Sequence, residues 1–96
     1  MIKHMVFMKL KEENKQVNAL KIKALLEDLP SKIDALIDME VGINFDEAER
    51  AMDLSLYSSF NSKEDLDIYA THKEHLKVVE VIKYCSQYTK VVDYII

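Results

Sequence analysis

The first half of the chain changes from a strand-like to a helix-like hydrophobic period. Residues 2–10 place apolar side chains on alternating positions, which predicts a strand, and its second face is also partly apolar. Residues 14–29 follow a helical period instead. The residues of this helical stripe, at i, i+3, i+4 and i+7, are Ile22, Leu25, Leu26 and Leu29. Pro30 is predicted to end the helix, and a short helical or turn segment is predicted around 31–35.

Two further strands are predicted in the middle of the chain. Residues 36–45 alternate again, residues 46–51 form a polar connection, and a third strand covers about 52–60. The apolar face of the second strand is predicted to carry Ile37, Met39, Val41, Ile43 and Phe45. Because the two strands follow one another across a short polar segment, they are predicted to form an antiparallel hairpin.

A helix is predicted to begin directly after the third strand. Asn61 and Ser62 are both residue types that cap helix N-termini, and Glu64 or Asp65 could complete a capping box. The side chains that this helix is predicted to turn inward include Leu66 and Tyr69.

A second capping signal follows within the same helical region. Thr71 precedes Glu74 by three residues, so the helix is predicted to break near Thr71 and to restart at His72. The second piece is predicted to end near Ser86, and residues 88–96 are predicted to form the last strand.

The resulting order of elements is βαββαβ, which predicts an α+β fold in one domain over residues 1–96. The arrangement is ferredoxin-like: a four-stranded antiparallel sheet with both helices on one face. The other face of the sheet then carries Met5, Phe7 and one side of the last strand with no helix to cover them. Because an uncovered apolar face marks an interface, we expect a homodimer through this face.

Composition and charge exclude several classes of protein. The formal net charge of −4 argues against a nucleic-acid partner, and no stretch approaches the roughly 20 apolar residues of a membrane span. The N-terminus does not resemble a signal peptide, because Lys3, His4 and Lys9 interrupt its apolar run. The single cysteine, Cys85, allows no internal disulfide, so the cytoplasm is the expected compartment.

Three polar side chains on apolar faces are candidates for a common site. His75 shares a helical stripe with Val78, Val79 and Ile82, so it should point at the sheet, where an imidazole could act as general base or acid. Tyr69, on an inward helix face, could donate a hydrogen bond to a ligand carbonyl.

His4 shares its strand face with apolar residues and could position a ligand. Each of these candidate residues could equally be a core side chain with one satisfied partner, so that alternative stays open. His72 and His75 lie three residues apart, but no further ligand completes a set, and no metal site is predicted. Cys85 has no base near it in sequence and is interpreted as a packing residue.

The chain resembles the stress-responsive A/B barrel (Dabb) family over nearly its full length. The stretches that carry the likeness are Met1–Leu10, Met39–Asn44, Asp53–Phe60 with Ser62, Tyr69–Val79 and the closing Val91–Tyr94. The chain departs from the family's common pattern at Lys73, where a proline often follows the first histidine of the helix. The resemblance implies a homodimer in which two sheets face each other as a dimeric α/β barrel.

The same resemblance suggests roles for the three candidate residues. One relative, olivetolic acid cyclase, is a polyketide cyclase that uses acid/base chemistry. Its catalytic pair would correspond to Tyr69 and His75, and its first-strand pocket histidine to His4. Some plant members bind a magnesium ion near the dimer interface, but this chain has no acidic cluster that calls for one.

Two functional classes follow, together with a weaker third. The chain has no nucleotide-binding glycine loop, nucleophile elbow or metal motif, and no cofactor is expected. The first class is a ligand-binding or non-catalytic stress-type dimer with a small hydrophobic ligand. The alternative is a cofactor-free cyclase, lyase or isomerase that uses His75 and Tyr69 on a hydrophobic carbonyl compound. The third is a monooxygenase or haem-binding barrel, which would need a histidine as axial ligand.

Overall fold

The sheet is built around the first strand, which has an antiparallel partner on each side. The computed structural model describes all residues, 1–96. The elements in chain order are β1 (Ile2–Leu10), α1 (Lys15–Glu27), a 3-10 turn (Leu29–Ser31), β2 (Asp38–Ile43), β3 (Leu54–Phe60), α2 (Lys63–Thr71), α3 (Lys73–Cys85) and β4 (Ser86–Ile95). The strand order is β2–β3–β1–β4, and every pair is antiparallel. This is the predicted ferredoxin-like α+β fold.

The core lies between one face of the sheet and the helices. On β1 the even-numbered residues Ile2, Met8 and Leu10 are buried, while their odd-numbered neighbours are only partly covered. Helix α1 contributes its predicted stripe to the same cluster, including Ile22 and Leu26. Each large apolar side chain buried in this way stabilises the fold by about 1.5–3 kcal/mol.

The first helix ends slightly earlier than its period suggests. Helix α1 stops at Glu27, and Pro30 lies inside the short 3-10 turn that follows. Proline is tolerated in a first helical turn, because the backbone N–H that it lacks would have no partner there. At the other end, Asn14 adopts the left-handed conformation with φ 57°, a region that asparagine tolerates better than most residues.

The second strand is shorter than predicted, and the placement of Phe45 on its apolar face is wrong. Strand β2 ends at Ile43, and the side chain of Phe45 is 98% exposed. The cause is a local turn at Asn44. Its side-chain amide donates to the carbonyl of Asp46 at 2.6 Å, and its Oδ1 accepts from the Asp46 N–H at 3.0 Å. This turn bends the backbone away from the sheet before the alternation can continue.

The predicted break between the last two helices is present, but its capping residue differs from the prediction. Ser62 caps α2 and accepts from the Asp65 N–H at 3.1 Å, as the first capping signal predicts. At the break, the acceptor is His72 rather than Thr71: its Nδ1 accepts from the Glu74 N–H at 3.1 Å. His72 is extended, with φ −66° and ψ 137°. A following proline would favour this conformation, and His72 adopts it although a lysine follows.

Strand β4 begins at Ser86, two residues earlier than predicted, because α3 passes directly into it. It pairs only with β1 and therefore leaves one edge open. On the sheet face opposite the helices, Met5 lies between its cross-strand partners Tyr57 and Val92. None of the helices combines the length and the apolar character needed to cross a bilayer.

Candidate functional site

A pocket of about 370 Å³ lies between the sheet and the last two helices. Its walls come from β1, β3, the helices and the start of β4. The residues around it are His4, Val6, Met8, Leu26, Leu56, Tyr69, His75, Val79, Ile82, Lys83, Ser86, Gln87, Tyr88 and Thr89. All three candidate residues from the sequence are among them. A concave, mainly apolar space with a few polar groups is the usual form of a small-molecule site.

His4 enters the pocket from the helix-covered face of β1. Its Nδ1 forms a hydrogen-bonded pair with the carboxylate of Asp93, its cross-strand partner on β4. A carboxylate only accepts, so Nδ1 carries the proton of this bond, and Nε2 makes no hydrogen bond within the protein. The side chain of His4 is 17% exposed, and its ring centroid lies 6.3 Å from that of Tyr69.

Tyr69 is the most deeply buried of the three, with 1% of the residue exposed. Its ring packs against that of Phe60 with centroids 5.1 Å apart. No protein group accepts a hydrogen bond from that hydroxyl. Burial raises the pKa of Tyr69 well above its ordinary value of 10.0, so the phenol stays protonated and remains a donor.

His75 is held over Tyr69 by the first turn of α3. Its Nδ1 donates to the carbonyl of Ala70 at 3.0 Å, since a carbonyl oxygen can only accept. Burial lowers the pKa of His75 below its ordinary value of 6.5, and the bond to Ala70 only partly opposes that shift. The imidazole is therefore neutral near neutral pH, and its Nε2 has no partner within the protein.

The three side chains thus place a hydrogen-bond donor and an acceptor beside a further imidazole at one end of the pocket. The donor is the Tyr69 hydroxyl, the acceptor is the Nε2 atom of His75, and the further imidazole is that of His4. A carbonyl placed here could accept from the phenol while a neighbouring C–H or O–H lost a proton to an imidazole. This arrangement suits acid/base chemistry as well as plain recognition of a polar ligand group.

The structure adds a site residue that the sequence reasoning missed. Asp93 orients His4, yet nothing in the sequence places it opposite His4, because the register of β4 is set only when the sheet forms. The spacing of the final strand could have shown only that Asp93 lies on one of its two faces. The opposite end of the pocket, formed by residues 83–89, was also missed.

His72 and Cys85, which were also considered from the sequence, do not line the pocket. His72 serves as the N-cap of α3. Cys85 is buried, with 5% of the residue exposed, and its backbone carbonyl accepts from Lys11 at 2.9 Å. No group of three or more His, Cys, Asp or Glu side chains is arranged to hold a metal ion.

Comparison with known proteins adds a family and several structural neighbours. The stress responsive A/B barrel domain pattern matches residues 2–96. A dimeric protein of unknown function and ferredoxin-like fold from Bacteroides fragilis is 33% identical, with a TM-score of 0.91 over 99% of this chain and 95% of its own. No protein with a curated description matches the chain.

More distant structures share the fold alone. A hydroxynitrile lyase from Passiflora edulis is 21% identical, with a TM-score of 0.86 over 99% of this chain and 92% of the lyase. An Arabidopsis thaliana protein is 17% identical, with a TM-score of 0.88 over 100% of this chain and 95% of its own. One fold hosts many activities, so these likenesses do not transfer an activity.

Proposed function

Because the chain belongs to the stress-responsive A/B barrel domain family, we propose that it is a homodimer that binds a small hydrophobic ligand between its sheet and its helices. The observation that carries the proposal is the Tyr69 side chain, which lines a mainly apolar pocket and whose hydroxyl makes no hydrogen bond to the protein. A ligand oxygen that accepts from this hydroxyl would gain a hydrogen bond worth about 0.5–1.5 kcal/mol.

The dimer is supported by the composition of the sheet face opposite the helices. Met5, Phe7, Tyr57, Val92 and Tyr94 lie there, and no element of the chain covers them. Similar structures from Bacteroides fragilis and a Jannaschia species carry the description dimeric. A second copy stacked on this face would remove the apolar side chains from water. The lone, buried Cys85 is compatible with the cytoplasmic location that we propose for this dimer.

A variant that fills the pocket tests the ligand proposal. Val79 lines the pocket from the middle of α3, so Val79→Trp should occupy much of the space. We expect at least one compound in a panel of aromatic aldehydes and ketones to raise the Tm of the wild type and to leave the Tm of the variant unchanged. Circular dichroism establishes that the variant is folded. Equal shifts in both proteins would place binding elsewhere and remove the pocket from the function.

The second candidate function is a cofactor-free cyclase, lyase or isomerase. It is favoured by the contact between His75 and Tyr69, whose ring centroids lie 4.1 Å apart. His75 would take a proton from the carbon next to a substrate carbonyl through Nε2. Tyr69 would donate a hydrogen bond to the carbonyl oxygen as negative charge develops there, and His4 would position the substrate.

Proton exchange separates the two candidates. A carbonyl compound that raises the Tm is incubated with the protein in D₂O, and loss of its α-proton signal is followed by NMR. An enzyme of this type should exchange that proton in the wild type, and His75→Ala should abolish the exchange while the dimer stays intact. If the ligand binds but its α-proton does not exchange, the result supports the binding function and contradicts the catalytic one.

A further inference from the structure

The end of the pocket farthest from Tyr69 differs in chemistry from the rest. Lys83, Ser86, Gln87 and Thr89 line it where α3 passes into β4. Between this end and the histidines lies an apolar middle. The apolar residues of that middle are Val6, Met8, Leu26, Leu56, Val79 and Ile82. The pocket is therefore polar at both ends and apolar between them.

Lys83 makes the far end positive in an otherwise acidic chain. The whole chain has a net charge of −4, yet no Asp or Glu is among the residues that line the pocket. Lys83 is the only lysine or arginine among those lining residues. The ammonium forms no ion pair, whereas other lysines such as Lys23 and Lys77 pair with a nearby glutamate.

A second polar group at this end has no partner within the protein. The hydroxyl oxygen of Ser86 is buried and makes no hydrogen bond. The amide of the neighbouring Gln87 is different, because it donates to the carbonyl of Leu10 at 3.2 Å. The Ser86 hydroxyl and the Lys83 ammonium belong to residues that line the same pocket, so both could donate to one anion, and such charge-assisted bonds are the stronger ones.

Helix α3 and strand β1 give similar values for the distance between the two polar ends of the pocket. Along α3, His75 and Lys83 are eight residues apart, which corresponds to about 12 Å at 1.5 Å per residue. Along β1, His4 and Met8 are four residues apart, which corresponds to about 13 Å at 3.3 Å per residue. Met8 is the cross-strand partner of Thr89, so this second distance also reaches the Lys83 end.

We propose that the ligand is an elongated apolar molecule with one terminal anionic group, which Lys83 and Ser86 bind at the α3–β4 end of the pocket. Its opposite end lies beside Tyr69 and His75, where a neutral oxygen function meets the phenol donor. The inference rests on the proposed ligand pocket and specifies which molecules that pocket selects. Because Lys83 is an exposed cation that lines the pocket, it also discriminates between an acid and its neutral analogue.

A pair of fluorescent probes tests the selection for an anion. The probes 8-anilinonaphthalene-1-sulfonate and N-phenyl-1-naphthylamine share an apolar ring system, and only the first carries a negative charge. The Kd of the sulfonate should rise roughly tenfold in Lys83→Glu, since one charge-assisted contact is lost and replaced by repulsion. The Kd of the neutral probe should stay within about twofold, because no charge takes part in its binding.

Lys21→Glu is the matched control, since it makes the same change of charge on an exposed residue of α1 away from the pocket. It should leave both Kd values unchanged. If Lys83→Glu and Lys21→Glu have the same effect on the sulfonate, the anion site is wrong. A wild type that binds neither probe, or binds both equally well in all lysine variants, overturns the inference too.

The pocket-filling variant Val79→Trp keeps the two proposals distinguishable. If it abolishes binding of both probes while Lys83→Glu has no selective effect, the ligand pocket stands and only the anion site fails. If both probes still bind to Val79→Trp with wild-type Kd values, the proposed ligand pocket itself fails. Loss of both probes in Val79→Trp together with a selective loss of the sulfonate in Lys83→Glu supports both.

Discussion

The imidazole of His75 lies over the ring of Tyr69, with centroids 4.1 Å apart and planes inclined by 35°. Burial acts on both groups in opposite directions. It raises the pKa of Tyr69 and lowers the pKa of His75, because it disfavours the charged form of each. At neutral pH the pair therefore consists of a protonated phenol and a neutral imidazole, a donor and an acceptor that face the same pocket.

The lowered pKa of His75 should make stability depend on pH. Below the ordinary value of 6.5 the unfolded chain binds a proton more readily than the folded one, so acidification favours unfolding. At higher pH neither state binds that proton, and the contribution vanishes. We expect the unfolding free energy of the wild type to fall more steeply than that of His75→Gln between about pH 7.5 and about pH 5.

Urea denaturation of both proteins across this range measures the two slopes. His4 and His72 are present in wild type and variant alike, so the difference between the slopes reports the effect of His75 together with its repulsion from these two histidines. Parallel pH profiles would contradict the buried, neutral state assigned to His75.

Two substitutions at Tyr69 separate its hydroxyl from its ring. Tyr69→Phe removes a group that no protein atom binds, so the unfolding free energy should change by less than about 1 kcal/mol. Tyr69→Leu removes the ring that packs against Phe60 and His75 and should lower the unfolding free energy by about 2–3 kcal/mol. Chemical denaturation gives both values. A loss in Tyr69→Phe as large as in Tyr69→Leu would mean that the hydroxyl has a structural partner.

The proposed dimer interface predicts different effects for two phenylalanines. Phe7 lies on the sheet face opposite the helices, so Phe7→Glu should place a charge in the interface and shift the protein to monomers. Phe45→Glu is the matched control, since Phe45 lies on the exposed β2–β3 connection. Light scattering at micromolar concentration reads out the mass. A monomeric wild type, or dissociation by the control alone, is incompatible with this interface.

Cys85 should be chemically quiet in the folded protein. The residue is 5% exposed and lies at the end of α3, where the chain turns into β4. Its reaction with 5,5′-dithiobis(2-nitrobenzoate) should be slower by roughly a hundredfold or more than that of the urea-unfolded chain, because reagent access requires local opening. Absorbance at constant reagent concentration gives the rates, and equal rates in the two states would mean that the thiol is accessible.

Most of the secondary structure could be read from the sequence because its signals are local. The alternation in residues 2–10 predicts β1 with its observed bounds, and Ser62 caps α2 as its residue type suggests. Phe45 shows the limit of this approach. Its apolar character fits the alternation of β2, but the hydrogen bonds between Asn44 and Asp46 turn the chain before Phe45 can continue the strand. An alternation of apolar and polar residues does not indicate such a turn.

The sequence by itself determined which faces are apolar, and therefore the fold and the inward direction of His4, Tyr69 and His75. Only the tertiary structure decided what these side chains meet. The pairing of β1 with β4 brings Asp93 to His4, and the passage of α3 into β4 places Lys83 and Ser86 at the opposite end of the pocket. Periodicity reports the direction of a side chain within its own element, whereas register and docking depend on contacts between residues far apart in the chain.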